Sequence, residues 1–165
     1  MHPYLKTPFL AAGLLAFSLV LTSCAAIPTS QAEPEPLAIA PDVELTVFRS
    51  PTCGCCGAWI EHMEAAGFRI KDEVTEEMEA IKTKYGIANE LESCHTTLAD
   101  GYIVEGHIPA TDVARLLTER PDVAGIAVPG MPIGSPGMES GDYVEPYQVF
   151  SFTEEGTTEI FAEHS

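Results

Sequence analysis

Hydrophobic positions divide the chain into stretches with different rhythms. From Phe9 to Leu21 every residue is apolar or small except Ser18. That run is too short to cross a bilayer comfortably as a helix and has the length of a signal-peptide core. Residues 25 to 41 carry no apolar period. Pro28, Pro34, Pro36 and Pro41 lie among Ala, Ser, Thr and Glu there, the composition of a partly extended tether. Periodic patterning begins near Asp42. Glu44 to Phe48 is a β-branched and aromatic run and predicts a strand. Ser50-Pro51-Thr52 breaks it, with Thr52 as the candidate helix N-cap. Cys55 to Ala66 predicts a helix, with Trp59, Ile60 and Met63 on its inner side, His62 facing solvent and Gly67 as the stop. Phe68 to Val74 predicts a second strand. Thr75 opens a second helix, acidic at its start as the macrodipole favours, which ends at Gly86. Thr96–Leu98 and Tyr102–Ile108 flank Asp100-Gly101, a hairpin signal. Pro109 to Asp112 opens a third helix carrying Val113, Leu116 and Leu117, and Pro121 stops it.

The order β-α-β-α-β-β-α predicts an α/β fold: a thioredoxin-like mixed sheet with helices on both faces. Gln148–Thr153 and Thr157–Ala162 add a hairpin around Glu155-Gly156, and the Gly/Pro-rich stretch Pro129 to Pro146 reads as an ordered loop. The expected division is a leader over 1–23, a tether over 24–41, a thioredoxin-like domain over 42–122 and a C-terminal extension over 123–165. About 120 residues are enough for one core. No internal repeat and no heptad pattern is visible, so a monomer is the simplest expectation.

Charge narrows the partners. The 165 residues carry 8 Lys and Arg against 25 Asp and Glu, a net charge of -17. No basic surface exists to displace counterions from phosphates, which excludes nucleic acid, and electrostatic adhesion to anionic lipid is equally disfavoured. Cations, metal ions among them, are attracted. A membrane enters by another route. Leu21-Thr22-Ser23-Cys24, at the end of the apolar run, resembles a bacterial lipobox, in which the peptide is cut before the Cys and that Cys is lipidated. The protein is then expected in the cell envelope, lipid-anchored through Cys24 and facing the periplasm. Ala25, not Asp, follows the Cys, so the outer membrane is favoured.

The candidate chemistry lies in the other cysteines. Cys53-Gly54-Cys55-Cys56 follows the first strand and opens the first helix. Unpaired amides and the positive end of the macrodipole favour thiolate there. Cys94, with His95 beside it, precedes the third strand and is expected to come close to the motif. Three readings compete. Two structural disulfides are one, although Cys55 and Cys56 are adjacent and poorly placed to bond each other. A metal-free thiol–disulfide oxidoreductase using Cys53 and Cys56 is the second; the extra thiol inside the motif, and Ser93-Cys94-His95-Thr96 where such enzymes carry a Pro, count against it. A soft-metal site is the third and the favoured one, with thiolates suiting Cu(I) first and zinc next.

Ser50-Pro51-Thr52-Cys53-Gly54-Cys55-Cys56-Gly57, Ser93-Cys94-His95-Thr96, Gly101-Tyr102, Glu105-Gly106-His107-Ile108-Pro109-Ala110, Val128-Pro129-Gly130-Met131-Pro132 and Gly134-Ser135-Pro136-Gly137-Met138-Glu139 occur in that order. Together they resemble a bacterial family of CxCC proteins associated with copper resistance, long filed as a domain of unknown function. The resemblance covers about Glu44 to His164. It implies a thioredoxin-like domain whose C-terminal extension helps bind copper, and interconversion of Cu(I) and Cu(II) as the chemistry. The expected metal residues are Cys53, Cys55, Cys56, Cys94, His95, His107, Met131 and Met138, holding copper in a centre with room for more than one ion. Met63 and Trp59 are expected in the core, and His164 is left unplaced. Whether the protein is a copper oxidoreductase or a buffer is open at this stage. As a buffer the protein sequesters copper or passes it to a periplasmic efflux partner; as an enzyme, with no second cofactor motif present, it takes or gives electrons through a redox partner protein, oxygen or a small molecule.

Overall fold

Strand β1 (Glu44–Arg49) buries Leu45 and Val47, as its alternation predicts, and feeds helix α1 (Gly54–Ala65). The computed structural model describes residues 43–165, so the readings of the leader, of Cys24 and of the tether lie outside the described residues. Strand β2 (Arg69–Val74) returns parallel to β1. Helix α2 (Met78–Lys84) and a 3-10 turn (Asn89–Leu91) lead to the hairpin of β3 (His95–Ala99) and β4 (Tyr102–Glu105). Its turn is Asp100-Gly101, and both residues have positive φ, 48° and 91°, as a two-residue hairpin turn of this twist requires. Helix α3 (Ala110–Glu119), β5 (Gly125–Ala127), β6 (Tyr147–Phe152) and β7 (Thr158–His164) complete the chain.

The seven strands form one mixed sheet in the order β2-β1-β3-β4-β5-β6-β7. β4 and β5 are parallel, as are β1 and β2; the remaining neighbours are antiparallel. One face carries the main core, where Leu45, Val47, Val104 and Ile126 meet Trp59, Ile60 and Met63 of α1 and Val113 and Leu116 of α3. The other face is closed by Ile87 and Leu91 over Ala127 and Phe152. Alternation along β4 sends Val104 to the first cluster and Ile103 to the second. Helical segments therefore cover both faces, and the fold is thioredoxin-like with a C-terminal hairpin added to its sheet.

Three local expectations are corrected. Thr52 is not the N-cap; its hydroxyl lies 3.1 Å from that of Ser50, and the cap falls at Cys53, whose amide donates to the Ser50 carbonyl. Helix α2 starts at Met78 and not Thr75, because Thr75 still pairs its amide with Arg49 and its hydroxyl accepts from the Glu77 amide. β4 ends at Glu105, since Gly106 turns the backbone at φ 82°. The three-residue β5 is an addition to the predicted elements.

Candidate metal centre

The first turn of α1 presents the motif cysteines. Cys53 is the N-cap, and Cys55 and Cys56 occupy the second and third helical positions. Amides in a helix's first turn have no intrahelical acceptor, so this end is electropositive and suits anionic sulfur. Trp59 anchors the helix one turn later: it is fully buried and its indole N–H donates to the Ile108 carbonyl at 2.9 Å.

Cys94 completes the group, as expected. The sulfurs of Cys53, Cys55, Cys56 and Cys94 all lie within 4.8 Å of one another, the only such group of candidate metal donors among the described residues. Cys55 Sγ is central, 3.5 Å from Cys53 Sγ and 3.8 Å from Cys94 Sγ. Cys53 and Cys56 are joined as a disulfide, and Cys55 and Cys94 are thiols. Capture of a metal by all four sulfurs therefore requires two-electron reduction of that bond. The Cys94 thiol is pushed up to about 12, first by burial and then by Cys55 beside it. It stays protonated until a cation displaces the proton. Four sulfurs this close are a soft donor set, fit for Cu(I) ahead of harder ions.

Cys94 is held in place by residues that sequence reasoning missed. Glu105, fully buried, receives the Ser93 amide at 2.8 Å and the Thr96 hydroxyl at 2.6 Å. Lys82, buried on α2, donates to the same carboxylate and to the Thr96 hydroxyl. Burial raises the Glu105 carboxyl, and Lys82, Thr96 and Ser93 oppose that rise. One signal was available in advance: Glu105 directly follows the apolar Ile103 and Val104 within the predicted strand.

His95 and His107 form a second, separate pair. Both are fully buried, their ring centroids are 5.0 Å apart, and His95 lies 4.4 Å from the Trp59 ring. The His107 Nδ1–H donates to the Pro136 carbonyl at 2.8 Å, which leaves Nε2 as a lone pair without a partner. Both ring nitrogens of His95 are likewise buried without a hydrogen bond. Such orphans are rare in a folded core, and a lone-pair imidazole nitrogen is a donor that a metal could satisfy.

Two glycines tie the Gly/Pro loop to the cysteines. The Gly130 amide donates to the Glu92 carbonyl, and the Ser93 hydroxyl donates to the Gly130 carbonyl. Gly137, at φ 82°, lies so close to α1 that a Cβ would sit 2.6 Å from the Cys55 carbonyl oxygen and 2.7 Å from the Trp59 amide nitrogen. Met131 and Met138 each follow one of these anchor points. Met131 is 51% exposed and Met138 is partly buried. The remaining candidates have structural posts. Met63 is core. His62, expected in solvent, accepts the Ala110 amide at 3.3 Å at the start of α3. His164 pairs with Asp112 at 2.6 Å and stacks on Tyr147.

These histidines couple stability to pH. Burial lowers His95 well below its usual value, with His107 and Lys82 adding to the effect, and burial likewise lowers His107 and His62. A base depressed in the folded state contributes stability that is complete above about pH 6.5 and is lost as pH falls through the lower, folded values. Glu105, raised by burial, pulls the other way, one group against three. The urea midpoint of the metal-free protein should therefore fall between pH 7.5 and pH 5; a flat midpoint over that interval would contradict the assignment.

Residues 91–138 match a family described as a protein of unknown function, DUF411. That segment includes Cys94, His95, Glu105, His107, Met131 and Met138. A solved structure described as copper resistance protein CopG, form 2, superposes with a TM-score of 0.72 at 47% identity, covering 74% of this chain and 98% of that one. Form 1 gives a TM-score of 0.70 at 48% identity, covering 73% and 96%. No curated protein sequence matches the chain. With nearly half its residues identical across almost the whole of those solved chains, and the matching family segment around Cys94, this protein belongs to the DUF411 family of bacterial proteins that includes copper resistance protein CopG.

Proposed function

We propose that the protein serves copper resistance by binding copper at the four cysteines and cycling it between Cu(I) and Cu(II). The observation that carries this reading is the four-sulfur group at a helix N-terminus in a chain so similar to a protein named for copper resistance. Cu(I) favours soft sulfur, while Cu(II) favours nitrogen and oxygen donors. Cys53, Cys55, Cys56 and Cys94 supply the first kind. The buried His95 and His107 pair are the nitrogen donors that would serve the second, and Met131 and Met138 on the loop are the thioether donors that would add to the first. Four thiolates are too few for several closed sites, so shared sulfurs would let the centre hold more than one copper. Electrons pass to or from an external partner: a periplasmic redox or efflux protein, oxygen or a small molecule. The lipobox-like Leu21-Thr22-Ser23-Cys24 supports anchoring in the envelope with the folded part in the periplasm, and Ala25 supports the outer membrane.

A second reading has its own observation. Cys53 and Cys56, the pair a thiol–disulfide oxidoreductase would use, are the two that are bonded. One experiment separates the two. Protein from the membrane fraction, with Cys24→Ala protein sought in the soluble fraction, is reduced and added in trace amount to Cu(I) in the presence of oxygen. The proposal expects Cu(I) to be consumed over many turnovers. Consumption that stops at saturation makes the protein a buffer; reduction of a disulfide substrate without copper favours the second reading.

A further inference from the structure

We propose that Glu105 is a positioning residue for the copper centre, setting the place of Cys94 through its hold on Ser93 and Thr96. This rests on the reading that the cysteines bind copper. Ser93 and Thr96 flank the dipeptide Cys94-His95, and one carboxylate binds both: the Ser93 amide at 2.8 Å on Oε1 and the Thr96 hydroxyl at 2.6 Å on Oε2. Lys82 closes the ring by donating to Oε1 and to the Thr96 hydroxyl. The segment that carries Cys94 is thereby pinned at both ends, with the thiol delivered 3.8 Å from Cys55. The hold extends further, because the Ser93 hydroxyl bonds the Gly130 carbonyl immediately before Met131. Stability alone does not call for this arrangement. A buried ion pair is often matched or bettered by apolar side chains of similar size, and the surrounding face offers an apolar cluster for them to join. What apolar groups cannot supply is an acceptor that grips the backbone at 93 and the side chain at 96 together. Groups that orient a metal ligand without touching the metal characteristically carry a 10–100-fold share of affinity.

The test uses the full chain with Lys82→Met and Glu105→Leu introduced together, so that no buried charge is left alone. Cu(I) affinity is measured against a competing chelator in wild type, in this variant, in Cys94→Ser and in the combination. The expected result is a loss of about 10–100-fold in the variant and no further loss when the same changes are added to Cys94→Ser. A metal-free readout accompanies it. In a Cys53→Ser, Cys56→Ser background, Cys55 and Cys94 are equilibrated with glutathione. The two thiols give up two protons and two electrons as they bond, and one oxidised glutathione becomes two reduced. Formation of that disulfide should be about tenfold less favourable without the Glu105 hold. Unchanged affinity and an unchanged disulfide equilibrium, or an equal additional loss in the Cys94→Ser background, would overturn the proposal. Should the paired variant unfold, Thr96→Val removes one limb alone and should shift both readouts in the same direction by a few-fold; no shift overturns the proposal. Absence of Cu(I) uptake by wild type would instead remove the functional reading, and the disulfide equilibrium would still judge the positioning.

Discussion

Cys55→Ser should abolish tight copper uptake while leaving the fold intact. Cys55 Sγ stands between its neighbours, 3.5 Å from Cys53 and 3.8 Å from Cys94. Without it three sulfurs remain, those of Cys53, Cys56 and Cys94, and the thiol that touches both Cys53 and Cys94 is gone. A serine hydroxyl is a hard, weak donor and does not replace thiolate for Cu(I). The side chain is partly exposed and carries no disulfide, so its loss opens no cavity in the core. Cu(I) stoichiometry should fall to one per chain or less, affinity should drop at least about tenfold, and the urea midpoint should stay where it was. Full stoichiometry with an unaltered sulfur-to-copper absorption band would show that Cys55 is not part of the site.

Trp59→Ala should have the opposite profile, with a large effect on the fold. The indole is fully buried in the main core and packs against His95 at 4.4 Å. Removing a buried aromatic of this kind costs about 3–5 kcal/mol through lost transfer energy and the cavity left behind. The Ile108 carbonyl also loses its donor, which adds to the cost. A single domain of this size has a total stability of only about 5–15 kcal/mol, so the variant should be close to unfolding at 37 °C. Urea denaturation of the metal-free protein gives the measurement. A loss below about 1.5 kcal/mol would mean that the pocket collapses around the smaller side chain. Cu(I) added in excess should recover part of the stability, because a ligand held only by the folded state shifts the equilibrium toward it.

The contrast between these substitutions also separates what was readable in the sequence from what was not. The cysteines were readable because their chemistry is carried by residue type: three thiols at a strand-to-helix junction and a fourth before a strand point to one place in this topology. Local signals served equally well where a single turn decided the outcome, as at Asp100-Gly101. They failed where two local interactions compete. Thr52 has the right side chain for a cap, but its hydroxyl is taken by Ser50 and the cap passes to Cys53. Thr75 likewise forms a turn with Glu77 before α2 can begin. Gly125–Ala127 is too short to show alternation and becomes a strand only because β4 and β6 lie on either side of it. The deepest gap is Lys82 with Glu105. A lysine on a short helix reads as a solvent residue, and nothing local announces that the chain brings a carboxylate 23 positions away to meet it. His62 was misread for the same reason, since its partner is the Ala110 amide, 48 positions on. Long-range polar pairing leaves almost no mark on periodicity, and here it is what supports the residues that chemistry alone could identify.

The central claim is that the four sulfurs act together, which requires the Cys53–Cys56 bond to be open. The most direct measurement is an oxygen-free Cu(I) titration against a competing chelator, run on the protein with that disulfide intact and on the fully reduced protein. The account predicts tight uptake of more than one Cu(I) by the reduced protein, and uptake at least about tenfold weaker while the disulfide holds two of the four sulfurs. Equal titrations in the two states, or no uptake in either, would contradict it.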